Sequence, residues 1–505
     1  MKKIFLLLSV LFFTAPVTVY PQQAFEYEYP FSLLFKNSVR INPYYIGNNP
    51  AYLFLDREDE VLTIHSLYSA ANGDYKMFVE PGQINSYQLG AFGKKSIGDR
   101  QIFKGSFGFQ RTEYNNWQWI FTKDYASGNP FLIGNTTTGN TRFNGIIMSA
   151  EYCNKISAGL QLGASLKYYV DEGLKEITPK PTSKHREIDF KLGAGYNLSD
   201  KLSAGIVLNV FDRYENIIFS QDEEDINREV TIIKFRGFDF PYTISKKDET
   251  RNAYNNGYLG DITFAYGLND IVSFSAFAGG GFQKTMTKDD AIDPLPDGFW
   301  KNDIFRTGLY AVSSAIENLT LGISFSLSIN NMWSSNPSYQ SVYMENKYSV
   351  NSTLLGAEYS LNRNIKLGIE AGTELIKRND DDYYSQVFSN SDLQRLSTRL
   401  GLEVNWSESL STLLAYGFSN QSVGESELAY NVPTYYFINN RIYDLLYYQT
   451  DYNKHTITLN AELKTLTPGT FKFYFNYSFI KANKFAGDNM RKTMQAGIEY
   501  CIKAY

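Results

Sequence analysis

The sequence predicts an all-β fold, a transmembrane antiparallel up-and-down β-barrel of about 18 strands, within a range of about 16 to 20. Residues 319–329 read Leu-Thr-Leu-Gly-Ile-Ser-Phe-Ser-Leu-Ser-Ile. A strand turns successive side chains to opposite faces, so one face there is large and apolar and the other small and polar. Residues 471–479 repeat the alternation: Phe471, Phe473, Phe475, Tyr477 and Phe479 share one side, and Lys472, Tyr474, Asn476 and Ser478 the other. Five successive aromatics on one face suit hydrocarbon outside and water or packed polar groups inside better than a soluble sheet. About 9–11 tilted residues suffice to cross a bilayer as a strand. The third observation is an asymmetry in the connections, short at one end of the strands and long at the other.

The chain opens with Met1-Lys2-Lys3, an apolar run over residues 4–13, and Thr14-Ala15-Pro16. A charged start and an apolar stretch too short for a membrane helix mark residues 1–22 as a cleaved export signal. No later segment approaches the roughly 18 apolar residues of a spanning helix. Residues 23–58 contain Phe31-Ser-Leu-Leu-Phe35 and Asn49-Pro50-Ala51, too apolar to be left in water. They are expected to form a plug or periplasmic segment that tucks into the barrel mouth. The barrel itself is assigned to residues 59–505. Strand cores are expected at 61–70, 84–93, 102–111, 143–153, 157–170, 186–197, 201–211, 257–266 and 270–283. The remainder are expected at 303–313, 317–330, 349–360, 364–377, 395–406, 408–419, 455–464, 469–481 and 491–503.

Short connections follow Tyr152, Tyr196, Tyr266, Tyr359 and Trp406, where Asn, Asp, Ser and Gly supply hairpin conformations. Long polar connections cover roughly residues 212–256, 286–302, 379–392 and 421–453 at the opposite strand ends. In bacterial outer-membrane barrels the short side is periplasmic, and an even strand count returns both termini to it. Those five aromatics and Tyr500 stand on the apolar face just before a connection or the chain end. An amphipathic ring favours the lipid–water boundary, so the six are expected to form a membrane-interface girdle rather than ordinary hairpin-end aromatics.

The inward face carries Gly163, Ser165, Gly193, Gly195, Gly322, Ser324 and Ser326, small residues that relieve crowding. Lys366, Glu370 and Glu374 share the inner side of one strand, and Arg399 and Glu403 that of the next. This candidate lumen-lining stripe either borders a water path or forms ion pairs that hold the interior closed. Its mixed sign, with no single-sign ring, favours the pairs.

With 48 Lys and Arg against 53 Asp and Glu, the net charge of −5 offers no electrostatic footprint for nucleic acid. Two cysteines, Cys153 and Cys501, are too few for a disulfide scaffold and are expected to be unpaired strand thiols. The histidines His65, His185 and His455 show no zinc-ligand spacing. His185 and His455 follow Lys184 and Lys454, whose charge lowers a histidine pKa rather than orienting the ring as a base. No enzymatic activity, metal or cofactor is expected. Asp222-Glu-Glu-Asp225 and Asp380-Asp-Asp382 lack the spacing of a calcium loop and are expected to be solvated surface charge. The long loops and their rims hold Trp300, Phe305, Tyr435, Tyr436, Phe437, Tyr447 and Tyr448, which either contact a partner or pack on one another as a lid.

The Asn49-Pro50-Ala51 run ahead of the first strand resembles the end of the N-terminal hatch in fatty-acid-channel-type outer-membrane proteins. The Tyr- and Asn-rich strands, hairpin style and Gln-flanked signal look like Bacteroidota-type outer-membrane β-barrels. The resemblance implies the outer membrane of a Gram-negative bacterium, with outer-membrane lipid around the barrel. The function expected is a passive channel or transporter for a small amphipathic or apolar compound, with the N-terminal stretch as a plug. The alternative is a non-transporting envelope component that docks a surface lipoprotein or an uptake receptor through its long loops.

Overall fold

A sheet whose strands carry one apolar and one small or polar face can satisfy its edge groups by closing on itself. The computed structural model describes residues 49–55 and 61–503, except for 178, 220–229, 240, 247–248, 269–270, 291, 338–340, 432, 435, 466–468, 484 and 486–488. The expected export signal, most of the 23–58 segment, Asp222-Glu-Glu-Asp225 and Tyr435 lie outside the described residues.

In chain order the strands begin with β1 (Val61–Asn72), β2 (Gln83–Ile97), β3 (Gln101–Trp117), β4 (Ile133–Asn135), β5 (Gly139–Lys155), β6 (Leu160–Lys175) and β7 (Thr182–Asn197). They continue with β8 (Leu202–Phe219), β9 (Val230–Phe235), β10 (Pro241–Lys246), β11 (Glu249–Leu268), β12 (Val272–Asp289), β13 (Leu295–Ile316) and β14 (Leu319–Asn336). The last are β15 (Ser341–Ser360), β16 (Ile365–Asp382), β17 (Val387–Asn405), β18 (Leu410–Tyr430), β19 (Tyr452–Lys464), β20 (Gly469–Ala482) and β21 (Met490–Lys503). All but β4, β9 and β10 form one 18-stranded antiparallel meander. It closes through β1 against β21, with Val61 opposite Lys503 and Asn72 opposite Lys492. Each expected strand core falls on one of these barrel strands. Among the described residues no helix is long and apolar enough to cross a membrane.

The strands are longer than a bilayer requires: β13 has 22 residues and β18 has 21. Pairing continues past the apolar belt, so the long connections are shorter than the sequence suggested. β8 and β11, for example, stay paired up to Phe219 opposite Glu249. On the outer face Leu414, Leu459 and Phe475 stand side by side across β18, β19 and β20, and they are 53%, 47% and 38% exposed. Ile369, Leu400 and Tyr416 repeat the arrangement across β16 to β18, as Leu192 and Leu208 do across β7 and β8. An encircling belt of this kind far exceeds the few hundred Å² of contiguous apolar surface usual on soluble monomers. It is the outer face of an outer-membrane type of barrel.

At the long-connection end the chain folds back over the lumen. β4, β9 and β10 make a separate three-stranded sheet. It packs with Trp117, Ile120 and Phe121 on the inward side chains Phe143, Ile217 and Phe219. A short π-helical turn, Phe437–Arg441, runs into α1 (Ile442–Tyr448), and Phe437 and Leu445 bury against Phe238, Met344 and Val387. Electrostatics tie the small sheet down. Lys234 reaches Glu249 at 2.8 Å and Asp289 at 2.5 Å, Arg251 bonds Asp289 at 2.7 Å, and Asp297 pairs with both Arg236 and Arg251.

One expectation is corrected. Asp380 and Asp382 are buried rather than solvated. Asp380 accepts from Arg378 at 2.5 Å and from Asn346, while Asp382 accepts the Phe238 and Ser385 backbone N–H groups at 2.8 and 2.9 Å. Incoming loop backbone presents donors, and a carboxylate is the acceptor that satisfies several at once. Of the two arrangements expected for the loop and rim aromatics singled out in the sequence, the described ones mostly take the second and pack on one another and on the inner wall. Trp300 and Phe437 are fully buried, Tyr436 packs against Trp119 at 5.3 Å and Phe235 at 5.8 Å, and Tyr447 stacks on Tyr75 at 4.7 Å. Phe305, on β13, is the exception at 46% exposed.

Candidate functional site

Asn49, Pro50 and Ala51 are buried, and a 3-10 turn over Pro50–Leu55 carries the chain along the inner wall of β5 to β8. Asn49 Nδ2 donates to the carbonyls of Ala194 at 3.3 Å and Ile206 at 3.1 Å, while its Oδ1 accepts the Ala51 N–H at 3.0 Å. Cys153 Sγ donates to the Ala51 carbonyl at 3.1 Å, and the Tyr52 hydroxyl meets Thr263 Oγ1 at 3.1 Å. The inward glycines make room. A methyl group at Gly163 would overlap the Pro50 backbone, one at Gly193 the Asn49 amide, and one at Gly195 the Tyr52 ring.

The charged stripe lies on the wall across the ring from that turn. Lys366 sits 3.5 Å from Glu358 and 3.8 Å from Glu403; Arg399 lies 3.5 Å from Glu370; Glu374 bonds Arg395 at 2.6 Å. All five sequence-selected residues are thus brought together with opposite charges, in the arrangement expected of ion pairs. Sequence reasoning missed two partners, Glu358 and Arg395. Arg395 stands four residues before Arg399 on the same face, and that parity was the available signal.

Above the stripe, between the inner wall of β12 to β19 and the folded-in loops, lies a chamber of about 400 Å³. Its wall is ordered by register. Gln283 faces Asn302, Asn302 faces Met332, Met332 faces Asn346, and Asn346 faces Asp380. Toward the short turns follow Asn330, Tyr348 and Arg378, and then Val350, Ile376 and Leu393. The next row holds Glu374, Arg395 and Gln421, with Gln421 facing Tyr452. Tyr75, Tyr125, Tyr447 and Tyr448 enter from the loops. A second cavity of about 110 Å³ continues along β16 to β19 and shares Glu374, Arg395 and Tyr452 with the first.

The connection over residues 118–132 straps the chamber against β6 to β8. Lys123 donates its backbone N–H to Glu215 at 3.0 Å, and its Nζ reaches Asp171 and, at 2.6 Å, the Tyr169 hydroxyl. Burial lowers the Lys123 pKa, opposed by Asp171. Burial pushes the neighbouring Asp124 up to about 7 against the pull of Arg213, and it also raises Asp444 on α1 in spite of Arg441.

Asp171 also lies 3.5 Å from His185 Nδ1, an acid–histidine contact that sequence spacing did not reveal because Asp171 is on the adjacent strand. Lys123 and Tyr169 close over that contact. His455 instead lies on the outer face, with its Nδ1 2.7 Å from the Tyr416 hydroxyl and its ring stacked on Phe479 at 4.8 Å. Cys153 and Cys501 are free thiols. Among the described residues no cluster of three or more His, Cys, Asp or Glu side chains has metal-holding geometry. Tyr152, Tyr196, Tyr266, Tyr359 and Trp406 stand exposed on the outer face at the short-turn rim, and Tyr500 packs on Phe471 at 4.5 Å.

Comparison with curated proteins finds no match. Among solved structures, the chain is similar to the CymD monoaromatic hydrocarbon channel at 11% identity and a TM-score of 0.31, over 93% of this chain and 95% of that one. It is similar to the Pseudomonas putida toluene transporter TodX at 9% identity and a TM-score of 0.32, over 94% and 96%. It is also similar to the siderophore receptor PiuA from Acinetobacter baumannii at 9% identity and a TM-score of 0.39, over 86% and 82%. The sequence relationship is clearer: residues 50–502 match a family model described as a family of unknown function, and this chain belongs to that family, DUF6850.

Proposed function

We propose that this protein is a passive outer-membrane channel for a small amphipathic compound, narrowed at its short-turn side by the Asn49-Pro50-Ala51 turn. One observation carries the reading. The two cavities adjoin at Glu374, Arg395 and Tyr452 and run down the wall opposite the seated turn. That is the side of the ring on which a passage can continue without displacing the turn. The lining, part tyrosine and aliphatic and part amide and ion pair, suits a compound with both apolar and polar surface. The outer apolar belt and the interfacial aromatics support residence in lipid. The reading assigns no catalysis.

Reconstitution into planar bilayers tests it. Stepwise conductance that grows on deleting residues 25–56 is expected; a silent membrane containing correctly folded barrels rejects it. Fractionation tests the location: the protein is expected to sediment with outer membranes and to need surfactant for dispersal.

A second reading, docking of a surface lipoprotein or receptor, is favoured by the rim residues Tyr383, Tyr384, Phe388, Tyr430 and Ile438, all exposed. Stable co-purification of one such partner, together with absence of conductance, is the outcome that selects it.

A further inference from the structure

We propose that the lumen chamber is a binding site for an uncharged, hydroxyl-rich ring compound of mono- to disaccharide size. The proposal narrows the ligand class of the channel reading and rests on taking the chamber as part of the passage.

Charge comes first. The cations facing the chamber stand beside carboxylates. Arg378 is 2.5 Å from Asp380, Arg395 is 2.6 Å from Glu374, Arg441 is 3.2 Å from Asp444 and Arg213 is 3.5 Å from Glu187. Glu80, also in the lining, is held at 3.0 Å by Arg491. An ionised ligand would meet its own sign within every pair and would have to break one to gain a partner. Separating a buried pair leaves an uncompensated charge, so the chamber discriminates against ions of either sign.

Hydrogen-bonding capacity then separates polar from apolar ligands. The amides of Gln283, Asn302, Asn330, Asn346 and Gln421 line one side. Asn302 Nδ2 donates to Asn330 Oδ1 at 3.1 Å, and Asn330 Nδ2 donates to Ser328 Oγ at 3.0 Å. Each amide offers donors and acceptors together, and so does a hydroxyl group. Gln421 and Asn346 already bond Arg395, Thr450 and Asp380, but Asn302 Oδ1 is buried without a hydrogen-bond partner among the described residues, and a hydrocarbon filling the same volume would leave it so, at a cost on the order of 1–3 kcal/mol for such a group.

The facing tyrosines supply the complement. Tyr75 and Tyr447 stack at 4.7 Å beside Tyr452, which is 5.8 Å from Tyr75, while Arg378 covers one face of Tyr448 at 3.8 Å. Tyr75 is itself covered, but Tyr447 and Tyr448 stay partly exposed in the lining and leave aromatic surface beside the amide row for a ring that has C–H faces and a hydroxyl rim. The chamber's volume of about 400 Å³ lies within the range of roughly 300–1,000 Å³ of small-molecule sites.

The full mature chain in detergent, titrated calorimetrically with glucose, maltose, glucuronate and toluene, tests the assignment. Saturable binding of glucose or maltose is expected, with glucuronate and toluene at least about tenfold weaker, a difference of about 1.4 kcal/mol. Asn302→Leu is expected to weaken sugar binding by about tenfold, the effect of losing one buried polar partner, and Asn302→Gln to restore part of it. Tyr447→Leu is the second variant should Asn302→Leu fail to yield a heat-resistant folded barrel. Absence of sugar binding by the folded wild type, or glucuronate or toluene binding as tightly as sugar, overturns the proposal. Bilayer recordings keep the two readings apart. Conductance without sugar binding removes this site and leaves the channel, whereas sugar binding without conductance leaves the site and removes the channel.

Discussion

The Asn49 side chain spans two neighbouring strands: its Nδ2 lies 3.1 Å from the Ile206 carbonyl and 3.3 Å from that of Ala194, and those two residues face each other across β7 and β8. A segment that precedes the first strand therefore completes the inner surface of the seventh and eighth. Two backbone acceptors deep in the wall take one amide, and the tyrosine three residues on reaches β11.

Enlarging Gly193 tests that seat. Gly193→Val places side-chain atoms where the Asn49 amide lies and is expected to lift the turn at an overpacking cost of about 1–3 kcal/mol. Cys153, which is sealed under the Ala51 carbonyl in the wild type, should then react with a maleimide in a Cys501→Ser background. Peptide mass mapping reads the label. Equal protection in both proteins would show that the turn does not depend on the glycine.

The two faces of a strand should respond differently to the same charge. Phe475→Arg on the outer face is expected to cost roughly 2–4 kcal/mol near the bilayer midplane, whereas Ser326→Arg on the inner face costs much less. Tryptophan fluorescence during urea titration in lipid vesicles measures both. Equal costs would remove hydrocarbon from the outer face.

The pair Glu374–Arg395, at 2.6 Å, stands where the two cavities meet. Glu374→Gln removes a negative charge beside the guanidinium at the neck and should shift the reversal potential in a salt gradient toward anion selectivity. Arg395→Gln should shift it toward cations. An unchanged reversal potential in both variants would put the ion path elsewhere.

Asp124 makes the strap pH-dependent. Its pKa is raised to about 7, with burial as the main cause, so the folded protein holds a proton that the unfolded chain releases near pH 4. Stability from this group is complete below about pH 4 and is lost as the pH rises to about 7, because in that window the native state binds more protons than the unfolded one. Thermal unfolding of Asp124→Asn is accordingly expected to fall less between pH 4 and 7 than that of the wild type. Parallel curves for the two proteins would count against a buried protonated carboxyl.

Much of the architecture was written locally. Period-two alternation such as that of residues 319–329, together with turn residues after Tyr152, Tyr196 or Tyr359, is enough to place a strand, its two faces and its tight end. Eighteen strands and one continuous meander followed from counting those units. The inward set Lys366, Glu370, Glu374, Arg399 and Glu403 was legible for the same reason, since parity along one strand needs no knowledge of any other. Tertiary structure alone decided what those groups meet. Asn49 and Ile206 are 157 residues apart and Tyr75 and Tyr447 are 372 apart, and no local pattern encodes such pairings. The β4–β9–β10 sheet, the burial of Asp380 and Asp382 and the chamber itself arise because closing the ring forces long connections over one opening. There the described loops pack on the inner wall, and carboxylates and aromatics such as Asp382 and Phe437 meet their partners by position in space rather than in sequence.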